Sequence, residues 1–315
     1  MSKVKVAVIG YGHLGKWHAD KAFSLEQSEL VAIVEKMETN QLVAKEKFPQ
    51  VNVVSDYNEI INDFDAAIIV TPTSFHFDLV IDLLKKGKHV FCEKPMTSTY
   101  EQSLEVAKLL EGKDLVFQVG HSERCHQVWD FKKDFLEFFS GPSSVRINRY
   151  APFKGRATDV DVIQDLMIHD IDLMLYLFGE TPQSVTSSGY KIRTDKWDHV
   201  TSRFKFSDGK VIDITVGRNA VKEVREVEIT SNSGALCFDL FANKLIIAKG
   251  SETVDFVKEV PYDRRDHLLL EQQYFYESII SGKPIFVDIH AGVNAMNVIE
   301  KVNKSLESGK EVFFS

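Results

Sequence analysis

The chain opens on Val4-Lys5-Val6-Ala7-Val8-Ile9, apolar at nearly every position and of strand length, which breaks into Gly10-Tyr11-Gly12-His13-Leu14-Gly15. Beyond the glycines, Leu14, Trp17, His18 and Lys21 recur at helical spacing. A second apolar run, Leu30 to Val34, ends on Glu35. A helical pattern from about Met37 to Phe48, a short strand at Val51–Val54 and a helix around Tyr57–Ile61 follow. Ala66–Val70 is continuously apolar, as a parallel strand covered on both faces should be. A helix closed by Gly87, a strand at His89–Cys92, a helix at about Thr99–Leu110 and a strand at Leu115–Val119 complete the alternation. This order predicts an α/β Rossmann domain over residues 1–120, a doubly wound parallel sheet.

The pattern then changes. A helix is expected from about Gln127 to Phe139, a strand at Ser144–Tyr150 and one long helix from Val162 to Phe178. From Val185 to Val257 the period is that of strands, with a hairpin at Ser207-Asp208-Gly209, and two helices close the chain near Arg265–Ile280 and His290–Leu306. Residues 121–315 therefore read as one α+β domain with a large, mainly antiparallel open sheet, the domain to which the resemblance drawn below assigns substrate binding and subunit contacts.

Composition narrows the function classes. The formal charge of −8 comes with no basic tract, so neither nucleic acid nor a membrane surface is an expected partner. Cys92, Cys125 and Cys237 show no CxxC spacing, Val4 already belongs to a core strand with no room for a cleaved leader, and the expected compartment is the cytoplasm.

The glycine turn carries the first chemistry. Gly10 permits the tight turn, Gly12 lets backbone approach a pyrophosphate, Gly15 lets helix pack on strand, and the helix N-terminus offers N–H groups to phosphate. Glu35, twenty residues past Gly15, is placed to accept from a ribose 2′-OH. Ligands of such sheets sit at the carboxyl ends of strands. Gly10, Tyr11, Gly12, His13, Leu14, Gly15, Glu35, Thr71, Pro72, Thr73, His76, Glu93, Lys94, Pro95 and Gln118 are accordingly the expected cofactor contacts. Glu35 favours NAD over NADP, although the adjacent Lys36 could turn towards a 2′-phosphate.

The second chemistry lies on the long helix. Asp161, Asp165, His169 and Asp172 fall on a stripe roughly 80° wide if the helix is a straight α-helix. A histidine with acids at helical contact distance fits a general base and its orienting acid. His121, Cys125 and His126 lack the further partners a zinc site needs, and no Gly-x-Ser-x-Gly elbow is present.

Gly10-x-Gly12-x-x-Gly15, Glu93-Lys94-Pro95 and Asp165-x-x-x-His169, in this order, resemble the glucose-fructose oxidoreductase / inositol dehydrogenase / MocA (Gfo/Idh/MocA) family along essentially the whole chain. The resemblance implies a nicotinamide-dependent dehydrogenase of sugars or polyols that forms homodimers or homotetramers. By the same resemblance Lys94 matches the lysine that reaches the reacting hydroxyl and the nicotinamide ribose. Asp165 and His169 match the pair beside the substrate, and Lys94–Pro95 a bond typically cis. Either Lys94 or His169 could be the base. Where relatives often carry a glycine run before the aspartate, this chain has Asp161-Val162-Ile163-Gln164, which alters the pocket wall at Gln164. Residues 158–170 resemble the family's UDP-N-acetylglucosamine 3-dehydrogenase subgroup, and a free sugar or cyclitol such as myo-inositol is the alternative substrate.

Upstream, Arg146, Arg149, Lys154 and Arg156 stand with Tyr150 and Phe153, as a diphosphate and a base would require. Arg124, Arg149 and Arg156 are therefore expected to bind substrate together with Lys94, Gln164, Asp165 and His169. A non-catalytic NAD(H)-binding regulator would need the glycine turn without Lys94, Asp165 and His169.

Overall fold

The computed structural model describes residues 3–155, 160–249 and 257–314. Six parallel strands, β1 (Val4–Ile9), β2 (Ser28–Val34), β3 (Asn52–Val54), β4 (Ala66–Ile69), β5 (His89–Glu93) and β6 (Phe117–Gly120), pair in the order β3-β2-β1-β4-β5-β6. Sheet order reverses beside β1, which pairs with both β2 and β4 and so directs the glycine turn into the crevice between them. Helices α1 (His13–Ser24), α2 (Glu38–Lys47), α3 (His76–Lys85) and α4 (Tyr100–Leu110) connect the strands. α4 starts where it does because Thr99 and Gln102 cap each other's backbone. Val6, Val8, Ile33, Ile68 and Phe91 are fully buried in one core.

That core is completed from far along the chain. Met1–Ser122 and Asp266–Met296 form one compact unit. Helix α6 (His267–Ser281) carries Phe275 and Tyr276 into the same cluster as Val4, Tyr11 and Phe91. The expected domain of residues 121–315 therefore gives up this segment. A helix's own period says that it has a buried face but not which sheet the face covers.

The second unit comprises Glu123–Arg265 and Asn297–Ser315. Its strands are β7 (Ser143–Tyr150), β8 (Ser184–Tyr190), β9 (His199–Lys205), β10 (Val211–Gly217), β11 (Val224–Ser231), β12 (Gly234–Asp239), β13 (Lys244–Ala248), β14 (Val257–Pro261) and β15 (Val312–Phe313). They form a nine-stranded sheet in the order β14-β13-β12-β11-β7-β10-β9-β8-β15. Only β7 and β10 run parallel; every other neighbouring pair is antiparallel. Along β7, Ser143, Val145, Ile147 and Arg149 point inward, with Ser144, Arg146, Asn148 and Tyr150 on the more exposed face.

Two expected α-helices differ. Gln127–Asp134 and Leu136–Phe138 are 3₁₀ turns in place of one α-helix, with Gln127, Val128, Trp129 and Phe138 buried. The long helix is α only from Ile168 to Phe178 (α5); Ile163–Met167 is a π-helical turn. The wider turn takes Asp161 and Asp165 off the straight stripe drawn through His169 and Asp172. No helix among the described residues is long and apolar enough to cross a membrane.

Candidate functional site

In the first unit the glycine turn borders a cavity of about 640 Å³, also lined by Glu35, Lys36, Asn40, Val70, Thr71, Pro72, Phe75 and Leu79. Gly10 has φ +98°, and a Cβ there would lie 2.7 Å from the Val70 carbonyl oxygen. A Cβ on Gly15 would lie 2.1 Å from the Gly10 carbonyl oxygen, so strand and helix could not close. A Cβ on Gly12 would meet no protein atom within 4 Å: it would project into open space. Gly12 thus leaves room for a ligand, whereas Gly10 and Gly15 leave room for the fold.

The chain's groups fit a dinucleotide here. Glu35 ends β2 half-buried; its oxygens accept from the Tyr11 N–H and the Met37 N–H, both at 2.9 Å, which holds the carboxylate at the cavity wall. Thr71 Oγ1 is buried with no partner among the described residues. Other expected contacts serve the frame. The Tyr11 side chain is fully buried and packs edge-on against Phe48, leaving only its backbone towards the cavity. His76 is buried and bridges the Thr71 and Pro95 carbonyl oxygens at 2.8 Å each, tying the β4 and β5 ends together. Gln118 is fully buried, and its Nε2 donates to the Glu271 carbonyl oxygen at 2.7 Å. His13 and Leu14 are exposed at the start of α1, and Thr73 opens a 3₁₀ turn outside the cavity lining. Lys94 is half-buried after β5, and the Lys94–Pro95 bond is cis. Glu93 lies beneath it, its Oε2 accepting from the Lys94 N–H at 3.1 Å.

In the second unit the acidic helix divides its work. Asp161 Oδ1 accepts from the N–H groups of Ile163 and Gln164 at 3.0 Å each, capping the π turn. Asp165 and Leu166 line a cavity of about 100 Å³ with Tyr150, Phe153, Arg218 and Arg225. Gln164 and His169 are half-buried. Asp172, expected on a wet face, is fully buried and holds Arg124 by two bonds of 2.8 and 2.6 Å; Arg124 also covers the Tyr176 ring. Asp170, outside the expected set, is also buried and takes Arg149 through Nε and Nη2, while Arg149 Nη1 donates to Glu123 at 3.0 Å.

These pairs correct the expected cationic cluster. Burial disfavours the Arg149 charge, but Asp170 and Glu123 outweigh it and hold the guanidinium pKa above its ordinary value. Burial pushes Asp170 up, against the pull of Arg149. Arg218 is tied to Asp198, Lys154 to Glu223 and Arg225 to Glu123. Arg146 is exposed on the sheet with Glu228. Arg156 lies outside the described residues. Arg124 and Arg149 are therefore internal ties, their forks filled by the chain's own carboxylates.

Residues missed from the sequence were Asn40, Phe75 and Leu79 on the candidate cofactor cavity, and Glu123 and Asp170, which neutralise Arg149. The helical period would have found Phe75 and Leu79, four apart on one face. No local signal marks Glu123 as a partner of residues 26 and 102 positions away.

Known proteins agree along the whole chain. The family profile described as "Oxidoreductase family, NAD-binding Rossmann fold" matches residues 4–121, and the "GFO/IDH/MocA C-terminal domain" matches residues 138–237. UDP-N-acetylglucosamine 3-dehydrogenase of Acidithiobacillus ferrooxidans is 32% identical over 98% of this chain and 99% of its own. Its solved structure superposes with a TM-score of 0.88, covering 98% and 99% of the two chains at 29% identity. The scyllo-inositol 2-dehydrogenase (NAD(+)) of Bacillus subtilis is 26% identical over 93% of this chain and 91% of its own. Scyllo-inositol dehydrogenase of Lactobacillus casei, solved with NAD(H) and scyllo-inositol, shares the fold at a TM-score of 0.84 and 22% identity over 99% of both chains. With the glycine turn, Glu35, Lys94 and the Asp165–His169 pair each on the element that resemblance assigns it, the chain belongs to the Gfo/Idh/MocA family of NAD-dependent oxidoreductases that act on CH–OH groups.

Proposed function

We propose that the protein oxidises the C3 hydroxyl of UDP-N-acetylglucosamine with NAD. The observation that carries this reading is the end-to-end match, at 32% identity, to a UDP-N-acetylglucosamine 3-dehydrogenase. Bound NAD supplies a hydride acceptor. Gly12 and the first N–H groups of α1 would hold its diphosphate, and Glu35 would accept from the ribose hydroxyl and repel a 2′-phosphate. Lys94 provides a fixed cation for the oxygen as it becomes an alkoxide. His169, oriented by Asp165, takes the hydroxyl proton as the hydride leaves the same carbon. Tyr150 and Phe153 offer rings to a base, while Arg149, Lys154, Arg218 and Arg225 on the same cavity are each already paired with a carboxylate of the chain.

Myo-inositol is the second candidate, because inositol dehydrogenases are also relatives. Three cysteines without CxxC spacing suit a reducing cytoplasm, and the more exposed face of the nine-stranded sheet suits a homodimer or homotetramer contact. NADH formation is followed with UDP-N-acetylglucosamine, N-acetylglucosamine and myo-inositol side by side. Turnover of the UDP-sugar is expected. Turnover of myo-inositol alone overturns the substrate, and NAD binding with no turnover of any of the three supports a regulator. His169→Gln and Lys94→Met should each cost about 10³-fold in kcat with NADH affinity unchanged. Near-normal kcat in either variant removes that residue from the reaction.

A further inference from the structure

Beneath Lys94, three buried titratable side chains from different elements converge: His18 of α1, Glu93 at the end of β5 and Glu271 of α6, their ligating atoms all within 4.8 Å of one another. Such a trio could be taken for a metal site, but the hydrogen bonds assign the histidine tautomer. Tyr276 O–H donates to Gln272 Oε1 at 2.9 Å, which turns the Gln272 amide nitrogen towards His18. That nitrogen donates to the His18 carbonyl oxygen at 3.1 Å and to Nδ1 at 2.9 Å. Nδ1 is thus an acceptor, the ring proton is on Nε2, and Nε2–H donates to Glu93 Oε1 at 2.8 Å. A metal would need the Nε2 lone pair, and here Nε2 carries a proton.

We infer that His18 is a positioning residue for Lys94, acting through Glu93. One carboxylate oxygen is held by His18 and the other holds the Lys94 N–H. The third side is closed by Gly120, where a Cβ would lie 2.9 Å from Glu93 Oε1 and 3.0 Å from its Cδ. Phe91 packs on the imidazole at 5.4 Å, so the ring has little freedom to turn. The carboxylate is fixed from three directions, and the backbone that carries Lys94 is fixed with it.

Glu271 completes the arrangement. It is 1% exposed, and neither oxygen has a partner among the described residues. Burial and the neighbouring Glu93 push its carboxyl well up, so Glu271 keeps its proton and Glu93 is the anion of the pair. Burial pushes Glu93 up too, but the His18 bond and the Lys94 charge bring it below its ordinary value. The titratable groups facing Glu93 are His18, Glu271, His76 of α3, Cys92 of its own strand and Lys94 just beyond it.

The inference rests on the role proposed for Lys94, so Lys94→Met is measured in the same series. His18→Phe keeps a ring and removes the donor. We expect kcat for UDP-N-acetylglucosamine to fall about a hundredfold while NADH affinity holds, as a small misplacement of a catalytic group does. With its donor gone, Glu93 is pushed up by burial, and the acid limb of kcat/KM moves to higher pH. His18→Gln, which returns an N–H near the Nε2 position, should recover most of the lost rate. If His18→Phe does not fold, Gly120→Ala pushes the same carboxylate from the opposite side and should lower kcat in the same way. An unchanged kcat and acid limb in these variants, with Lys94→Met inactive, overturns the inference alone. A near-normal kcat in Lys94→Met overturns the proposed function, and the inference falls with it.

Discussion

The two cavities are built by different means. The one in the first unit, about 640 Å³, is lined by Gly10 and Gly12, by strand ends, by apolar side chains such as Val70, Phe75 and Leu79, and by the Glu35 carboxylate already tied to a loop N–H. The one in the second unit, about 100 Å³, is lined by charged side chains, and most of the cations around it are already paired. Backbone recognition is local, because φ at Gly10 and the clearance at Gly12 follow from those residues and their immediate neighbours. Charge recognition is not local, because the meaning of Arg149 depends on Asp170 and Glu123, which lie 21 and 26 residues away. A count of cations along a loop therefore says little about how many remain to meet a diphosphate.

The most severe test of this contrast is Arg149→Met. It leaves Asp170 and Glu123 buried against an apolar side chain, and loss of one partner of a buried pair costs about 3 to 5 kcal/mol. Thermal unfolding should show a fall of several degrees or an insoluble protein. If the variant keeps its Tm and instead raises KM for the UDP-sugar, Arg149 meets substrate and the contrast fails. A smaller effect tests the other cavity. Glu35→Ala should weaken NAD and narrow its advantage over NADP by about tenfold, or about 1.4 kcal/mol, with little change in Tm. Equal wild-type affinities for NAD and NADP would mean that Glu35 does not select.

The smallest effect is a pH dependence. Glu271 keeps its proton when folded well above its ordinary value of 4.5, and it loses that proton once unfolded. The folded state therefore binds more protons than the unfolded state above that value, so this group's contribution is complete at lower pH and is lost as pH rises. Glu271→Gln removes the penalty: its Tm should match wild type near pH 4 and exceed it increasingly towards pH 8. A constant difference across that range would show that Glu271 does not hold a proton.

The fold was legible where one segment makes its own case. The run Ala66–Ile69, the glycine turn and the Ser207–Gly209 hairpin each needed only neighbouring residues. The π turn at Ile163–Met167 was not legible, because it is a single turn joined directly to the α-helix Ile168–Phe178 and no residue type marks where the bonding pattern widens. Among the candidate residues, Lys94, Asp165 and His169 were named through motif order. Thr71 and Glu35 were reached through their position at strand ends. Gln118 and His76 occupy the same kind of position but face the frame, and only the packing of α6 and the β5 end distinguishes the two outcomes.

Because α6 belongs to the first unit, the nucleotide-binding body is not a continuous stretch of chain. Phe275, Tyr276, Ile279 and Ile280 all belong to its core, and they follow the entire run of strands from β7 to β14 in the order of synthesis. A ribosome that has released residues 1–122 has therefore released a sheet with part of its apolar surface still open to water. During that interval the nascent chain is a natural client for chaperones that bind exposed apolar surface.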